Sequence, residues 1–351
     1  MIQLRICRDE EMKTFDEVFI DKTKCGVKVQ TSEYGEQGEH IIIDQGQSQI
    51  AGYTDREEGL FEEVPVVIFG DHTRVVKYVD EPFFLGADGV KVLRSKDENA
   101  NYKYLYYALK NAKIPNTGYN RHFKWLKEVK INYPNSNKQA EIVDVLDHIS
   151  DIISKRKAKL QVLDNLIKAR FVELFGLPVS NSKGWNTEKM REVAPAVNYS
   201  GGFEDAVWLL NLDMVEAQTG RILDYLYVNE EEVGNSTCTF DTTNVLYSKL
   251  RPYLNKVVIP DRYGYATSEL IPLKPNPMKL ERTYLAFMLR SDEFVNMINE
   301  KVAGAKMPRV SMSDFREFDV PVPPMELQKQ FAAFVEQTDK SKFVLMKGSF
   351  V

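Results

Sequence analysis

The sequence predicts an α+β chain in which two α/β units alternate with two long helices, and three observations carry that prediction. The block VKINYPNSNKQAEIVDVLDHIS returns near the C-terminus as FDVPVPPMELQKQFAAFVEQTD, so that an offset of 189 positions pairs Gln139 with Gln328, Pro134 with Pro323, Ile131 with Val320, Leu126 with Phe315 and Glu128 with Glu317. A fixed offset over about twenty residues marks a duplication. Each copy opens a stretch of helical period, and each is preceded by short runs of strand character bounded by Gly, Asp and Pro. At 351 residues the chain is long enough for two units, each burying its own core.

Residues 12–138 form the first unit. EHIIID, VPVVIFG, RVVKYV, GVKVL and VKINYP read as strands, and YKYLYYALKNAK reads as a helix among them. From 139 to 176 the character changes. KQAEIVDVLDHISDIISKRKAKLQVLDNLIKARFVELFG has no Pro and no internal Gly, and Ile142, Leu146, Ile149, Ile153, Leu160, Leu163, Ile167 and Phe171 recur at spacings of three and four. Gly176 and Pro178 stop the helix. About 37 residues rising 1.5 Å each make a rod of roughly 55 Å. An apolar stripe of that length, close to a heptad seam, needs a partner helix.

The second unit spans 177–325, with strands in VWLLNL, NVLYSKL, KVVIP and FDVPVP and one helix in RTYLAFMLRSDEFVNMINEK. The second helix, 326–351, carries Leu327, Phe331 and Phe334 in the phase of the first. It has only about 23 residues of helical pattern, so the far part of the first stripe (Leu163, Ile167, Phe171, Leu174) is expected to lack its partner within the chain.

Composition narrows the function classes. Hydrophobic residues at 43% and charged residues at 28% exclude disordered and fibrous classes. Three separated cysteines (Cys7, Cys25, Cys238) and four scattered histidines support neither a disulfide framework nor a metal site, and a reducing cytoplasm is the expected compartment. No run approaches eighteen apolar residues and the N-terminus lacks an apolar signal core, so membrane spanning and secretion are not expected. The net charge of −5 does not favour a nucleic-acid partner, which leaves local charge to decide.

Local charge does favour one. Residues 101–138 carry eight Lys or Arg against the single acid Glu128, interleaved with six tyrosines and Trp125. Lys and Arg with aromatics on one segment are the footprint of a nucleic-acid surface, although a solvated helix face over core tyrosines has the same composition. Arg121, Lys124 and Lys127 are its candidates, joined by His72, Arg74 and Lys77 around GDHT, which lies between two strand-like runs and reads as a turn. In the second unit the candidates are Lys249, Arg251, Tyr253 and Lys256 from YSKLRPYLNK, with Lys306 and Arg309 from KMPR. Arginine reads guanine bidentately in the major groove, which singles out Arg74, Arg121, Arg251 and Arg309 for base contacts. The two units share a skeleton but little identity, as suits one frame reading two different things.

Taken together, these blocks resemble the specificity subunit of Type I restriction-modification systems. The carriers are the duplicated Pro and Gln block, the KRKAKLQVLDNLIKARFVELFG rod, IIIDQGQSQIAGY with GDHT, and NVLYSKLRPYLNKV; the resemblance covers nearly the whole chain. It implies two target recognition domains, each reading half of a bipartite sequence in double-stranded DNA. It also implies that the helices pack as an antiparallel coiled coil, set the spacing and dock two methyltransferase subunits, with restriction and translocase subunits as further partners of such complexes. The chemistry and its cofactors (S-adenosylmethionine, Mg and ATP) would belong to those partners, and the chain itself would be no enzyme. The residues agree: there is no D/N/S-P-P-Y/F block, no Walker loop, no GxSxG and no HExxH, and PDRYGYATSEL lacks the acidic-x-Lys of a nuclease. A DNA-binding domain of a fused restriction-methylation enzyme and a coiled-coil adaptor that binds no DNA are the competing readings.

Overall fold

A computed structural model describes residues 11–347 apart from Ala87, 204–205 and 304–306. The chain divides into two compact units, Met1–Ser154 and Lys155–Val351, with the boundary inside the first long helix, Ser136–Phe175. No helix among the described residues is long and apolar enough to cross a membrane.

The duplication extends from sequence to topology. In the first unit Val66–Gly70 runs between Val76–Val79 and Val90–Ser95, antiparallel to both. In the second, Val245–Ser248 runs between Val257–Val258 and Leu270–Leu273 in the same way. In a second sheet of each unit one strand has a parallel and an antiparallel neighbour: His40–Ile43 with Phe83–Leu85 and Gly52–Thr54, and Ala206–Leu210 with Gly264–Thr267 and Leu226–Asn229; in the second unit Thr237–Phe240 adds a further antiparallel strand on Gly264–Thr267. The central strands read as continuous apolar runs because both of their faces are covered. All five residues of VVIFG and all four of VLYS are buried.

One helix packs on each frame, Tyr102–Lys110 in the first unit and Arg282–Arg290 in the second. Asn101 caps the former by accepting from the Tyr104 amide, and Glu281 caps the latter by accepting from the amides of Thr283 and Tyr284. The single helix expected over RTYLAFMLRSDEFVNMINEK is in fact two, Arg282–Arg290 and Asp292–Glu300. Ser291 separates them: its backbone is extended, and its hydroxyl accepts from the Phe294 amide as the N-cap of the second. Short polar side chains break a helix in this way because they offer the backbone another hydrogen-bond partner.

The repeated Pro and Gln close each unit. Before the first long helix, Met12–Thr14 pairs antiparallel with Lys130–Asn132; before the second, Met325–Lys347, Thr187–Lys189 pairs with Asp319–Pro321. Gln139 donates through Nε2 to the Pro134 carbonyl at 2.8 Å, and Gln328 donates to the Pro323 carbonyl at 2.8 Å. Both glutamines are buried, so each must find partners inside the protein.

The second long helix packs antiparallel on the C-terminal half of the first. Phe331 meets Phe171 and Phe175 with centroids 5.5 Å from each, and eleven residues further on Lys342 pairs with Asp164 at 2.6 Å. Advancing along one helix therefore retreats along the other. This reverses the expectation for the far stripe: Ile167 and Phe171 are buried with Phe331 and Val335, and Leu174, Leu327 and Phe334 pack against that cluster. The cause is topological. The strand pair Thr187–Lys189 with Asp319–Pro321 starts the second helix beside the end of the first. Nearer the start of the first helix, Val143 is buried and Ile142 packs on the core of the first unit, Leu146 is half-buried, and Ile149 and Ile153 are exposed. Leu160 and Leu163 are half-buried.

Candidate nucleic-acid interface

In the first unit the GDHT segment is the turn expected, joining Val66–Gly70 to Val76–Val79. Asp71 serves the fold: it is buried, and it accepts from the Phe123 amide at 2.8 Å through Oδ1 and from the His122 amide through its carbonyl. Those bonds hold the short helix Phe123–Leu126 against the turn. They fix the segment that carries Arg121, Lys124 and Lys127, all exposed. Lys124 lies over the Trp125 ring at 4.1 Å and Lys127 over Phe123 at 5.2 Å, so both stems rest on aromatic rings with their ammonium groups at the surface. Tyr119, 88% exposed, stacks on His72 at 4.8 Å. Such an exposed ring beside cations was not singled out in the sequence, although its place in TGYNRHFKW marked it.

Two candidates of this unit are differently placed. Lys77 is only 3% exposed; burial pushes its pKa down, and Asp44 at 3.4 Å partly offsets that cost. Arg74 sits in the left-handed backbone region at φ 60° and bonds the Ile114 carbonyl through Nη1. Both line a cleft together with Thr73, Tyr106 and Lys110.

In the second unit the hairpin after Val245–Ser248 brings Lys249, Arg251 and Tyr253 together with Arg309. Val310 donates to the Lys249 carbonyl and Arg251 to the Pro308 carbonyl, which stitches the two segments. Arg251 has φ 48°, and its guanidinium has no hydrogen-bond or ion-pair partner among the described residues. A non-glycine residue held in this region is strained, and strain of that kind collects at functional sites. Asn255, also left-handed, anchors the hairpin by donating to the Arg290 carbonyl at 2.9 Å. Tyr253 is 48% exposed.

Arg309 is engaged by an acid. Glu269 takes its Nη2 at 2.8 Å and its Nε at 3.3 Å, and the guanidinium beside it holds the carboxyl below its ordinary pKa. Lys256 turns inward, half-buried, and donates to the Leu212 carbonyl at 2.7 Å. Lys306 lies outside the described residues. The free cations thus gather on Arg121, Lys124 and Lys127 in one unit and on Arg251 with Lys249 in the other. Among the described residues no group of His, Cys, Asp and Glu is placed to hold a metal ion.

Comparison with known proteins fits this geometry. A family model described as Type I restriction modification DNA specificity domain matches residues 9–164 and 219–349. The specificity subunit of the Type I restriction enzyme EcoR124I/EcoR124II of Escherichia coli is 22% identical over 327 residues, 85% of this chain and 79% of that protein. The EcoDI specificity subunit, also of Escherichia coli, is 28% identical over 123 residues, which is 35% of this chain and 27% of that one. Among solved structures, the Type I restriction-modification S subunit from M. genitalium shares the fold with a TM-score of 0.56 at 18% identity, over 99% of this chain and 94% of that one.

Proposed function

The chain belongs to the family of Type I restriction-modification DNA specificity domains, and from that premise we propose that it selects the DNA target for a methyltransferase complex, each unit reading one half of a bipartite site. The single observation that carries this reading is the pairing of a repeated frame with different exposed cations. The first unit presents exposed Arg121, Lys124 and Lys127 from a turn and a short helix, and the second presents exposed Arg251, with half-buried Lys249 beside it, from a hairpin. Phosphate contacts give affinity and register, and the few side chains that reach base edges give sequence.

The partners of this reading are double-stranded DNA and two methyltransferase subunits, with a restriction subunit as a further member. The exposed apolar residues of the first helix, Ile149 and Ile153, are offered as part of the docking surface. The chain is read as non-catalytic and cytoplasmic, and S-adenosylmethionine, Mg and ATP are assigned to the partners. Single-molecule sequencing of methylated adenine tests this in cells that express the chain with the methyltransferase subunit encoded beside it. A split motif of two short specified blocks around a fixed spacer is expected. New methylation at a single undivided block, or none beyond cells lacking the chain, would overturn the two-reader assignment.

A further inference from the structure

The first unit contains a cavity of about 520 Å³ between the loop after His40–Ile43, the turn before Val76–Val79 and the helix Tyr102–Lys110. Gln47, Gln49, Arg74, Lys77, Tyr106 and Lys110 are among its lining residues. Its lining holds three cations and no acid, so the cleft attracts anions, and for a protein that binds DNA the nearest anion is the phosphate backbone.

The loop over this cleft is pinned at three points. Gln45 donates to the Asp88 carbonyl at 2.9 Å, takes the His72 amide at 3.0 Å and takes the Thr73 hydroxyl on its own carbonyl at 2.6 Å. Gln49 donates to the Tyr78 carbonyl at 2.7 Å, and Asp44 takes both the Gly46 amide at 2.8 Å and the Lys77 ammonium at 3.4 Å. Between these braces Gln47 alone of the three glutamines has no hydrogen-bond partner among the described residues, and it is exposed. Two glutamines are used to fix a loop that holds out the third. A side chain held out by a braced loop loses little freedom on binding, which favours specific recognition.

Gln47 is also of the right chemical type. Its amide offers one donor and one acceptor side by side, the pattern that pairs with N7 and N6 of adenine in the major groove. We propose that Gln47 reads an adenine in the half-site of the first unit, while Arg74 and Lys110 at the same cleft hold the adjoining phosphates. This rests on the two-reader function above and names one of its specificity-determining residues.

The test uses the full chain with its methyltransferase subunit, wild type beside Gln47→Ala, Gln47→Glu and Lys110→Ala. Methylated-adenine sequencing in cells is combined with competition binding to duplexes varied one base at a time. In the wild type, one position of one block should demand adenine. Gln47→Ala should lower discrimination at that position alone by roughly 5- to 150-fold, the span of one bidentate contact. Gln47→Glu should shift that position towards cytosine, whose exocyclic amine a carboxylate accepts. Lys110→Ala should weaken binding evenly across sequences. Because Gln47 makes no internal bond, Gln47→Ala should leave thermal unfolding of the first unit unchanged, and loss of stability there would overturn the presentation argued above. An unchanged motif in Gln47→Ala overturns the proposal, as does weakening spread evenly over all sequences, which would make Gln47 a backbone contact. A wild type with no split motif fails the parent reading instead, and is distinguished by the absence of any position to relax.

Discussion

Removing the amide of Gln328 should cost more than removing that of Gln139, although both stand at the same point of the duplicated block. Gln328 is fully buried and makes three bonds: its Nε2 donates to the carbonyls of Lys279 at 2.9 Å and Pro323 at 2.8 Å, and its Oε1 accepts from the Glu281 amide at 2.8 Å. Glu281 in turn caps the helix Arg282–Arg290, so one side chain ties the second long helix, the strand exit and a helix start together. Gln139 bonds the Pro134 carbonyl and, among the described residues, reaches no such third element. A buried polar group left without its partner costs about 1–3 kcal/mol, and water entering the space of the lost side chain recovers part of it. Gln328→Ala should therefore cost about 3 kcal/mol and Gln139→Ala about 1–2 kcal/mol. With a urea slope near 2 kcal/mol per molar, the first corresponds to a midpoint lowered by about 1.5 M. Hydrogen exchange under rising urea, read in peptides from Val245–Ser248 and from Val66–Gly70, assigns each loss to its own unit. Equal losses in the two variants, or a Gln328→Ala loss below about 1 kcal/mol, would refute the accounting by unsatisfied partners.

Three further outcomes are expected. Phe331→Ala removes a fully buried ring that meets Phe171, Phe175 and Phe287, and should destabilise the second unit by about 3–5 kcal/mol in denaturant unfolding, whereas Phe343→Ala, at an exposed position, should cost little. In salt titrations of DNA binding, Lys124→Ala and Lys127→Ala should each weaken all sequences and lower the slope by about one, while Arg251→Ala should relax one block of the motif and leave the other strict. Hydrogen bonds from Lys103 and then Tyr107 hold the Asp147 carboxyl below its ordinary pKa, so its contribution to stability is present above the unfolded-state pKa and fades as pH falls through the lower folded value. The group is still partly exposed to solvent, so Asp147→Asn should flatten the acid limb of the stability profile only slightly, and a steepened limb would contradict the assignment.

The duplicated block was legible because Pro and Gln there answer to one local rule, a buried amide bonding a carbonyl five residues back, and a rule of that kind leaves its mark in spacing. The central strands were legible for a similar reason: burial on both faces makes VVIFG wholly apolar and leaves VLYS a single small polar residue, Ser248. The break at Ser291 left a sign, Ser followed by Asp and Glu, that the continuous apolar period around it outweighed. Which end of the first helix is covered was not legible, because it depends on the pairing of Thr187–Lys189 with Asp319–Pro321, more than a hundred residues away in sequence. Charge was read as exposure for Lys77 and Lys256, and both turn inward to partners contributed by distant segments, Asp44 and the Leu212 carbonyl. Residue type announces a cation; only the fold says whether it faces water.

That distinction bears on how one frame acquires two specificities. The bonds repeated between the units are those that close the frame: the antiparallel strand pair before each long helix, the Gln to Pro bond, and the capped helix on the central sheet. The features that differ lie at the turn beyond each central strand. In the first unit that turn is short and carries its left-handed residue at Arg74; in the second it is longer, holds Arg251 free, and sets Arg309 against Glu269. An acid on an arginine need not remove it from recognition. On the proposed function, a guanine edge would offer Arg309 two acceptors in exchange for the carboxylate it leaves, while DNA phosphates repel Glu269. A neutral Glu269→Gln variant would then bind DNA more tightly and less selectively at that half-site, whereas a purely structural ion pair would give weaker binding through a loosened hairpin.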